Sequence, residues 1–177
     1  MNTPPETSAS NQTPSLTQLR VVVGALVGGQ VMFLAVVIVL LAAVQPGGFV
    51  PGSTMALVLG VAVIGVAIGT TVAQVVIRGG VIASVRAAVE QAANPDEAVS
   101  RVGQAFTGLT IIRAAMFEGW GLFGVVSLML TGQWVFVLAP LASVVGIASV
   151  FPTRDRFGAF LDRVLGDGDE MSMPERG

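Results

Sequence analysis

The chain has 177 residues, of which 53% are hydrophobic and 11% are charged, and its net charge is −2. Soluble domains are about one-quarter charged, so this composition excludes an ordinary soluble surface and predicts a membrane protein. The chain has no Cys, His or Lys, which excludes disulfides, thiolate or imidazole metal sites, a histidine base and a Walker-type phosphate loop. We therefore expect no enzyme activity, no cofactor, no metal ion and, given the charge, no nucleic-acid partner.

The first predicted elements are a polar tail and one apolar helix. Residues 1–18 are rich in Thr, Ser, Pro, Asn and Gln, a composition that buries little apolar area and predicts disorder. The apolar run at 21–44 is longer than the core of a signal peptide, which has about 7–15 residues, so we interpret it as a retained membrane span. Pro and Gly residues within 45–53 then predict a loop.

Three further apolar runs predict three more spans, at 54–77, 111–130 and 134–151. Each run is close to the roughly 20 residues that a helix needs to cross the hydrocarbon core, and Pro140 is expected to kink the last of them. Because lipid offers no hydrogen bonds to the backbone, these runs are expected to be helical. The predicted fold is therefore all-α, an integral membrane four-helix bundle that occupies residues 19–151.

The arginines predict the orientation of the spans. They lie in the N-terminal tail, in the connection between the second and third spans, and after the fourth span. The nine residues are Arg20, Arg78, Arg86, Arg101, Arg113, Arg154, Arg156, Arg163 and Arg176. The other two connections, at 45–53 and 131–133, contain none. Since cytoplasmic loops carry the excess of positive side chains, we expect both ends of the chain to lie in the cytoplasm, with the protein in the inner (plasma) membrane.

The connection at 78–110 is predicted to be a cytoplasmic helical hairpin. Two apolar stripes with helical spacing run along it, the first Val81, Ile82, Val85 and Val89 and the second Val99, Val102, Phe106 and Leu109. Between the stripes, Asn94 is a typical N-cap and Pro95 suits the first helical position. We expect the two stripes to pack against each other; the alternative is a docking surface for another molecule.

Residues 152–165 are predicted to form a short amphipathic helix, which an acidic, disordered tail follows at 166–177. The apolar side chains of this helix are Phe157, Phe160, Leu161 and Val164. The arginines at its start are expected to lie among anionic lipid headgroups.

Pairs of small residues four positions apart predict close helix packing. They are Gly24 and Gly28 in the first span, Gly65 and Gly69 in the second, and Ala142 and Gly146 in the fourth. Small residues let helix backbones approach closely in lipid. We favour packing inside the bundle; the alternative is an interface between copies of the chain.

Glu118 is the one acidic residue inside a predicted span, and it marks the candidate proton or ion site. A charge near the middle of a membrane helix costs about 2.5–3.5 kcal/mol, so this carboxyl should be neutral, paired or hydrated. The other candidate residues lie at a similar depth: Gln30, Thr70, Thr71 and Ser143. We predict that protonated Glu118 hydrogen-bonds to Gln30 or Thr71. Two roles stay open, a reversible proton or cation site and a neutral acid that holds helices together.

The segment EGWGLFGVVSLML, residues 118–130, resembles the carboxylate helix of the proteolipid c subunit of rotary ATPases. The matching residues are Glu118, Gly121, Leu122, Phe123 and Gly124, and the resemblance implies a proton-carrying carboxylate within a ring. The second half of the chain, with RAAMFEGWGLFG, a TGQ turn and FPTRDRF, also resembles a group of small uncharacterised bacterial four-span proteins. That resemblance implies the same topology and no particular activity.

The sequence thus predicts a non-enzymatic four-span protein with a structural or assembly role. Its expected partners are membrane lipids, with a second copy of the chain or another membrane protein as further candidates. The alternative function is a proton- or cation-coupled carrier subunit that uses Glu118.

Overall fold

The computed structural model describes residues 16–44 and 54–165, and this part of the chain is helical apart from short connections. Its elements are α1 (Leu16–Val44), α2 (Thr54–Glu90), α3 (Pro95–Thr131), a 3-10 turn (Trp134–Val137), α4 (Leu138–Ser149) and α5 (Arg154–Leu165). The all-α prediction is confirmed. The loop at 45–53, the acidic tail at 166–177 and most of the N-terminal tail, which were predicted from composition, lie outside the described residues.

Three of the described helices, α1, α2 and α3, are long and apolar enough to cross a membrane. The 3-10 turn and α4 are long and apolar enough to cross a membrane only when they are counted together with α5. The chain bends by 68° between α4 and α5. Both α2 and α3 have 37 residues, which corresponds to about 55 Å at 1.5 Å per residue. They are therefore much longer than the roughly 30 Å of a hydrocarbon core, and both extend beyond any single crossing.

Helix α3 lies at the centre of the fold, in contact with α1, α2, α4 and α5. One apolar cluster joins Val37 to Val125 and Leu128, and another joins Val23 to Ala114, so α1 runs parallel to α3. Helices α2 and α4 run antiparallel to it. Helix α1 also packs on α4, whereas the main contacts of α2 are with α3 and α5. The helices thus form a three-helix group of α1, α3 and α4, with α2 on another side of α3.

The second half of α2 and the first half of α3 pack together in an apolar cluster that we call the hairpin cluster. Its buried members are Leu19, Val85, Val102, Phe106, Leu109, Phe160 and Val164. The two predicted stripes pack against each other except at Val99, which is 47% exposed. The cluster also includes the start of α1, which explains why α1 begins at Leu16, inside the tail that was predicted to be disordered. Arg20 strengthens this end by donating from Nε to the carbonyl of Pro152, at 3.1 Å.

Helix α5 covers the hairpin with its apolar face. The predicted placement of its first arginines among lipid headgroups stays a prediction. The ring of Phe106 meets Phe157 edge-on, with centroids 5.3 Å apart, and Phe160 at 5.6 Å. The sharp bend after α4 turns α5 back toward the hairpin, so its aromatic side chains are buried by protein. Its arginines, Arg154, Arg156 and Arg163, remain exposed.

Pro140 was predicted to kink the short fourth span, and the structure has a change of helix type near it. The chain is in 3-10 conformation up to Val137, and Pro140 is the third residue of α4. A proline in the first turn removes no required hydrogen bond, because the first backbone N–H groups of a helix have no intrahelical acceptor. The change from 3-10 to α geometry therefore takes place just before the proline, and α4 stays regular after it.

The turn between α2 and α3 is held by a network around Glu97. The Asn94 side chain accepts from the Glu97 backbone N–H at 2.8 Å, and the Glu97 carboxylate accepts from the Ala93 N–H at 3.0 Å. The same carboxylate pairs with Arg101 at 2.6 Å. The Ala93 N–H, followed by Arg101, lowers the pKa of Glu97 below its ordinary value of 4.5. Asn94 is thus the N-cap of α3, as predicted.

This network predicts that acid weakens the turn. A carboxyl whose pKa is lower in the folded state stabilises the fold above its unfolded pKa, and this stabilisation is lost as the pH falls through the folded pKa. We expect Glu97→Gln to lower the thermal unfolding temperature in detergent at neutral pH and to have little effect well below pH 4.5. Asp96→Asn is the control, because Asp96 makes neither contact. A Glu97→Gln effect that is equal at both pH values would contradict the prediction.

Candidate functional site

A buried polar contact joins α1, α3 and α4 midway along their length. The Ser143 hydroxyl lies 3.0 Å from the Gln30 Oε1 atom and also within hydrogen-bonding distance of the Phe117 carbonyl. Gln30 Nε2 donates to the Pro140 carbonyl at 3.4 Å. Gln30 is 1% exposed and Ser143 is fully buried. We call Gln30, Ser143 and the carbonyls of Phe117 and Pro140 the polar clamp.

The chemistry of the polar clamp favours a structural role. Its side chains are an amide and a hydroxyl, neither of which takes up or releases a proton near neutral pH. The Ser143 hydroxyl has one hydrogen and two acceptors, Gln30 Oε1 and the Phe117 carbonyl, so it donates to one of them at a time. Each contact joins one helix to another, and the clamp therefore fixes α1, α3 and α4 relative to each other.

Three glycines allow the helices to approach closely around the polar clamp. A Cβ atom on Gly121 would lie 1.7 Å from Gln30 Nε2, and one on Gly124 would lie 2.5 Å from the Ala139 Cβ atom. On α4, a Cβ atom on Gly146 would lie 2.5 Å from the Phe117 ring. At a distance below 3 Å, the added side chain would force the neighbouring atoms to move. In the sequence, Gly121 and Gly124 stood out only as part of the segment that resembles the c subunit. Their role in packing depends on the residues of α1 and α4 that lie against them.

The predicted small-residue pairs behave differently from one another. Nothing lies within 4 Å of a Cβ atom built on Gly24, Gly28, Gly65 or Gly69. These four glycines of α1 and α2 therefore make no close helix contact with the described part of the chain. In the third pair, Gly146 packs tightly against Phe117, while Ala142 is exposed. Of the six residues in the three predicted pairs, only Gly146 thus makes the predicted close contact with another described helix.

The structure brings together two of the five residues of the candidate proton or ion site, Gln30 and Ser143. Glu118 is half-buried and forms no hydrogen bond or ion pair with the residues that the structure describes. Thr70 is half-buried, and the Thr71 hydroxyl donates to the Ala67 carbonyl of its own helix at 2.9 Å. The predicted hydrogen bond from Glu118 to Gln30 or Thr71 is therefore not formed. The amide of Gln30 is occupied by the clamp, and Thr71 is bonded within α2.

A second polar contact links α2 to α3 near the arginine-rich end. Arg113 Nε donates to Gln74 Oε1 at 3.3 Å, and Gln74 is buried. Gln74 was not among the predicted site residues, although a lone amide near the end of an apolar run is a signal that could have found it. Within 16–44 and 54–165, no group of three His, Cys, Asp or Glu residues could hold a metal ion.

Comparison of the chain with protein-family models, with curated proteins and with solved structures gives no match. The resemblances to the proteolipid c subunit and to small bacterial four-span proteins therefore stay predictions. The site has to be interpreted from its own geometry.

The close approach at Gly121 predicts that alanine substitution at Gly121 and at Gly119, two residues earlier in α3, has very different effects on stability. We expect Gly121→Ala to destabilise the protein by about 2–3 kcal/mol, because the added methyl overlaps the Gln30 amide and forces the polar clamp apart. Gly119→Ala is the matched control: nothing lies within 4 Å of its Cβ position, and alanine favours a helix over glycine by about 1 kcal/mol.

The measurement is thermal or denaturant-induced unfolding of the two purified variants in the same detergent. Gly119→Ala should be as stable as the wild type or more so. Equal stability of the two variants would show that α1, α3 and α4 are not held at the distance that the clamp requires.

Proposed function

We propose that the chain is a non-enzymatic four-span protein of the inner (plasma) membrane, with a structural or assembly role. The apolar surface supports membrane embedding. Large hydrophobic side chains are at least 65% exposed along α1 and α2, including Met32, Val39, Leu57, Val61 and Val75. Contact with water would cost about 25 cal/mol for each Å² of this surface, a cost that lipid removes.

The course of α4 supports a fourth crossing. At its start Ala139 lies against Gly124, and farther on Gly146 lies against Phe117, so α4 runs back along α3. The chain then reaches the hairpin cluster through Phe160 of α5. The 3-10 turn and α4 have 16 residues between them, or about 26 Å at 2.0 and 1.5 Å per residue, which is near the thickness of a hydrocarbon core.

The arginine distribution supports an orientation with the hairpin in the cytoplasm. All eight arginines of the described residues lie toward the end that contains the hairpin cluster, in the start of α1, the second half of α2, the first half of α3, and α5. The opposite end, where α3 meets the 3-10 turn, has none. The positive-inside rule then places the hairpin and the described start of α1 on the cytoplasmic side.

The polar clamp is the observation that best supports a structural role. Within the described residues, Ser143 and Gln30 are almost completely buried, at 0% and 1% exposure, and their hydrogen bonds join one helix to another. An assembly role is supported by α2, whose outer face lacks partners within the described chain. Between α2 and α4 a groove of about 350 Å³ exposes apolar side chains around Trp120, which lipid chains or a neighbouring membrane helix would fill.

The alternative function, a proton- or cation-coupled carrier, has one supporting observation. Glu118 is a carboxyl in the apolar half of α3 without a partner among the described residues, and such residues in membrane helices often mark ion pathways. The polar clamp does not reach Glu118, so the residues that the structure describes form no continuous chain of hydrogen bonds through this carboxyl.

The four-span topology predicts a labelling pattern, which is simple to test because the chain has no native Cys. Single-cysteine variants Ser84→Cys, Asp162→Cys and Thr54→Cys place a thiol in the hairpin, in α5 and at the opposite end of α2. We expect a membrane-impermeant maleimide to label only Thr54→Cys in intact cells, and to label the other two after permeabilisation. If Asp162→Cys is labelled from the same side as Thr54→Cys, the chain crosses three times.

The role of Glu118 is tested with Glu118→Gln in liposomes. A structural protein should give no protein-dependent proton flux under an imposed membrane potential, and Glu118→Gln should alter only its unfolding temperature. Flux through the wild type that Glu118→Gln abolishes would instead establish the carrier function. The mass of the purified particle in mild detergent, compared with that of one chain, tests the assembly role.

A further inference from the structure

We propose that an arginine-lined cavity beside the hairpin cluster binds the phosphate group of an anionic phospholipid. The cavity has a volume of about 280 Å³ and lies between the end of α4, α2, α3 and α5. Its charged lining consists of Arg78, Arg113, Arg156 and Arg163, and no Asp or Glu contributes to it. We call it the arginine cavity.

Within residues 16–44 and 54–165, no carboxylate neutralises the charges around the arginine cavity. No carboxylate of the described residues lies within 4.0 Å of any of the four guanidinium groups, in contrast to Arg101, which pairs with Glu97. Arg113 and Arg156 are close enough for their like charges to repel each other. Such repulsion is unfavourable at a partly buried site, and an anion in the cavity would remove it.

The side chain of Arg113 is held in a way that suits a phosphate. Its Nε atom donates to Gln74, and this bond orients the planar guanidinium while its two terminal nitrogens remain as donors. Guanidinium groups bind phosphate oxygens through paired, charge-assisted hydrogen bonds. Arg78, Arg156 and Arg163 approach from two other helices, so one anion could be contacted from several sides.

The position of the arginine cavity favours a lipid phosphate over a soluble anion. Arg78 directly follows the apolar part of α2, Arg113 is near the start of the apolar part of α3, and Val150 follows α4. The cavity thus lies at the edge of the proposed spans, at the level of headgroups, where basic pockets between helices bind anionic lipids. Apolar side chains, including Phe106 and Leu109, complete its wall. The preference for a lipid phosphate over a soluble anion depends on the proposed membrane topology.

The volume of the arginine cavity agrees with a headgroup. Pockets for drug-sized molecules typically measure about 300–1,000 Å³, so 280 Å³ is near the lower limit. A phosphate with part of its glycerol fits this size, and the acyl chains would extend along the apolar surface of the helices.

The test compares two arginines of the same helix. Arg156 and Arg154 are both exposed on α5, and replacing either by Gln removes one charge, but only Arg156 lines the cavity. Binding of phosphatidylglycerol to the full chain is measured by native mass spectrometry in phosphatidylcholine–detergent micelles. We expect Arg156→Gln to weaken binding about fivefold, from the usual contribution of a basic side chain near an anionic headgroup, and Arg154→Gln to change it less than about twofold.

A second measurement separates binding from folding. In phosphatidylcholine alone, Arg156→Gln should unfold at the wild-type temperature or above it, because the repulsion of Arg113 is relieved. Added phosphatidylglycerol should raise the unfolding temperature of the wild type and of Arg154→Gln more than that of Arg156→Gln, since a ligand stabilises the state that it binds.

Two results would overturn the proposal. Equal phosphatidylglycerol binding by Arg156→Gln and Arg154→Gln would show that the arginines act only as a diffuse positive surface. If the wild type binds inorganic phosphate but not phosphatidylglycerol, and Arg156→Gln abolishes the binding of phosphate, the site takes a soluble anion. The cysteine labelling pattern can be measured in phosphatidylcholine liposomes, so failure of lipid binding is distinguishable from failure of the four-span topology.

Discussion

The hydrogen bonds of the polar clamp organise the packing of this protein. An amide or hydroxyl in apolar surroundings finds no water, so its partners must come from the protein, either from its own helix, as for Thr71, or from another helix. Gln30 meets this need with Ser143 and the Pro140 carbonyl, and Ser143 with Gln30 and the Phe117 carbonyl. These contacts require the close approach that Gly121 permits, and they determine how α1, α3 and α4 are rotated about their own axes.

Helix α3 connects three environments along its 37 residues. Its first turns belong to the hairpin cluster and are capped by Asn94, its middle contacts the polar clamp, and its end is closed by Gly132, whose backbone has a φ of 61° and whose N–H bonds to the Leu128 carbonyl. A glycine adopts this left-handed conformation without strain. The tight turn that follows returns the chain along α3, so the proposed fourth crossing depends on the end of this helix.

The arginines have two structural consequences. Along the chain, their absence from one end of the helices is the basis of the proposed orientation. In three dimensions, the end of α4 and the packing of α5 bring Arg156 and Arg163 next to Arg78 and Arg113, which are otherwise far apart in the sequence. The burial of Phe157 and Phe160 against Phe106 positions α5, and the apolar contacts of the hairpin cluster thereby create the proposed phosphate site.

The sequence by itself determined the features that depend on neighbouring residues: the apolar helices, the N-cap at Asn94, the turn at Gly132 and the separation of arginines to one end. Only the tertiary structure decided which glycines pack, that Gln30 bonds to Ser143 and not to Glu118, and that α5 lies on the hairpin. The physical reason is that the long helices are apolar on nearly every face, so their periodicity does not specify how they rotate. That rotation is set by contacts between residues more than a hundred positions apart, such as Gln30 and Ser143.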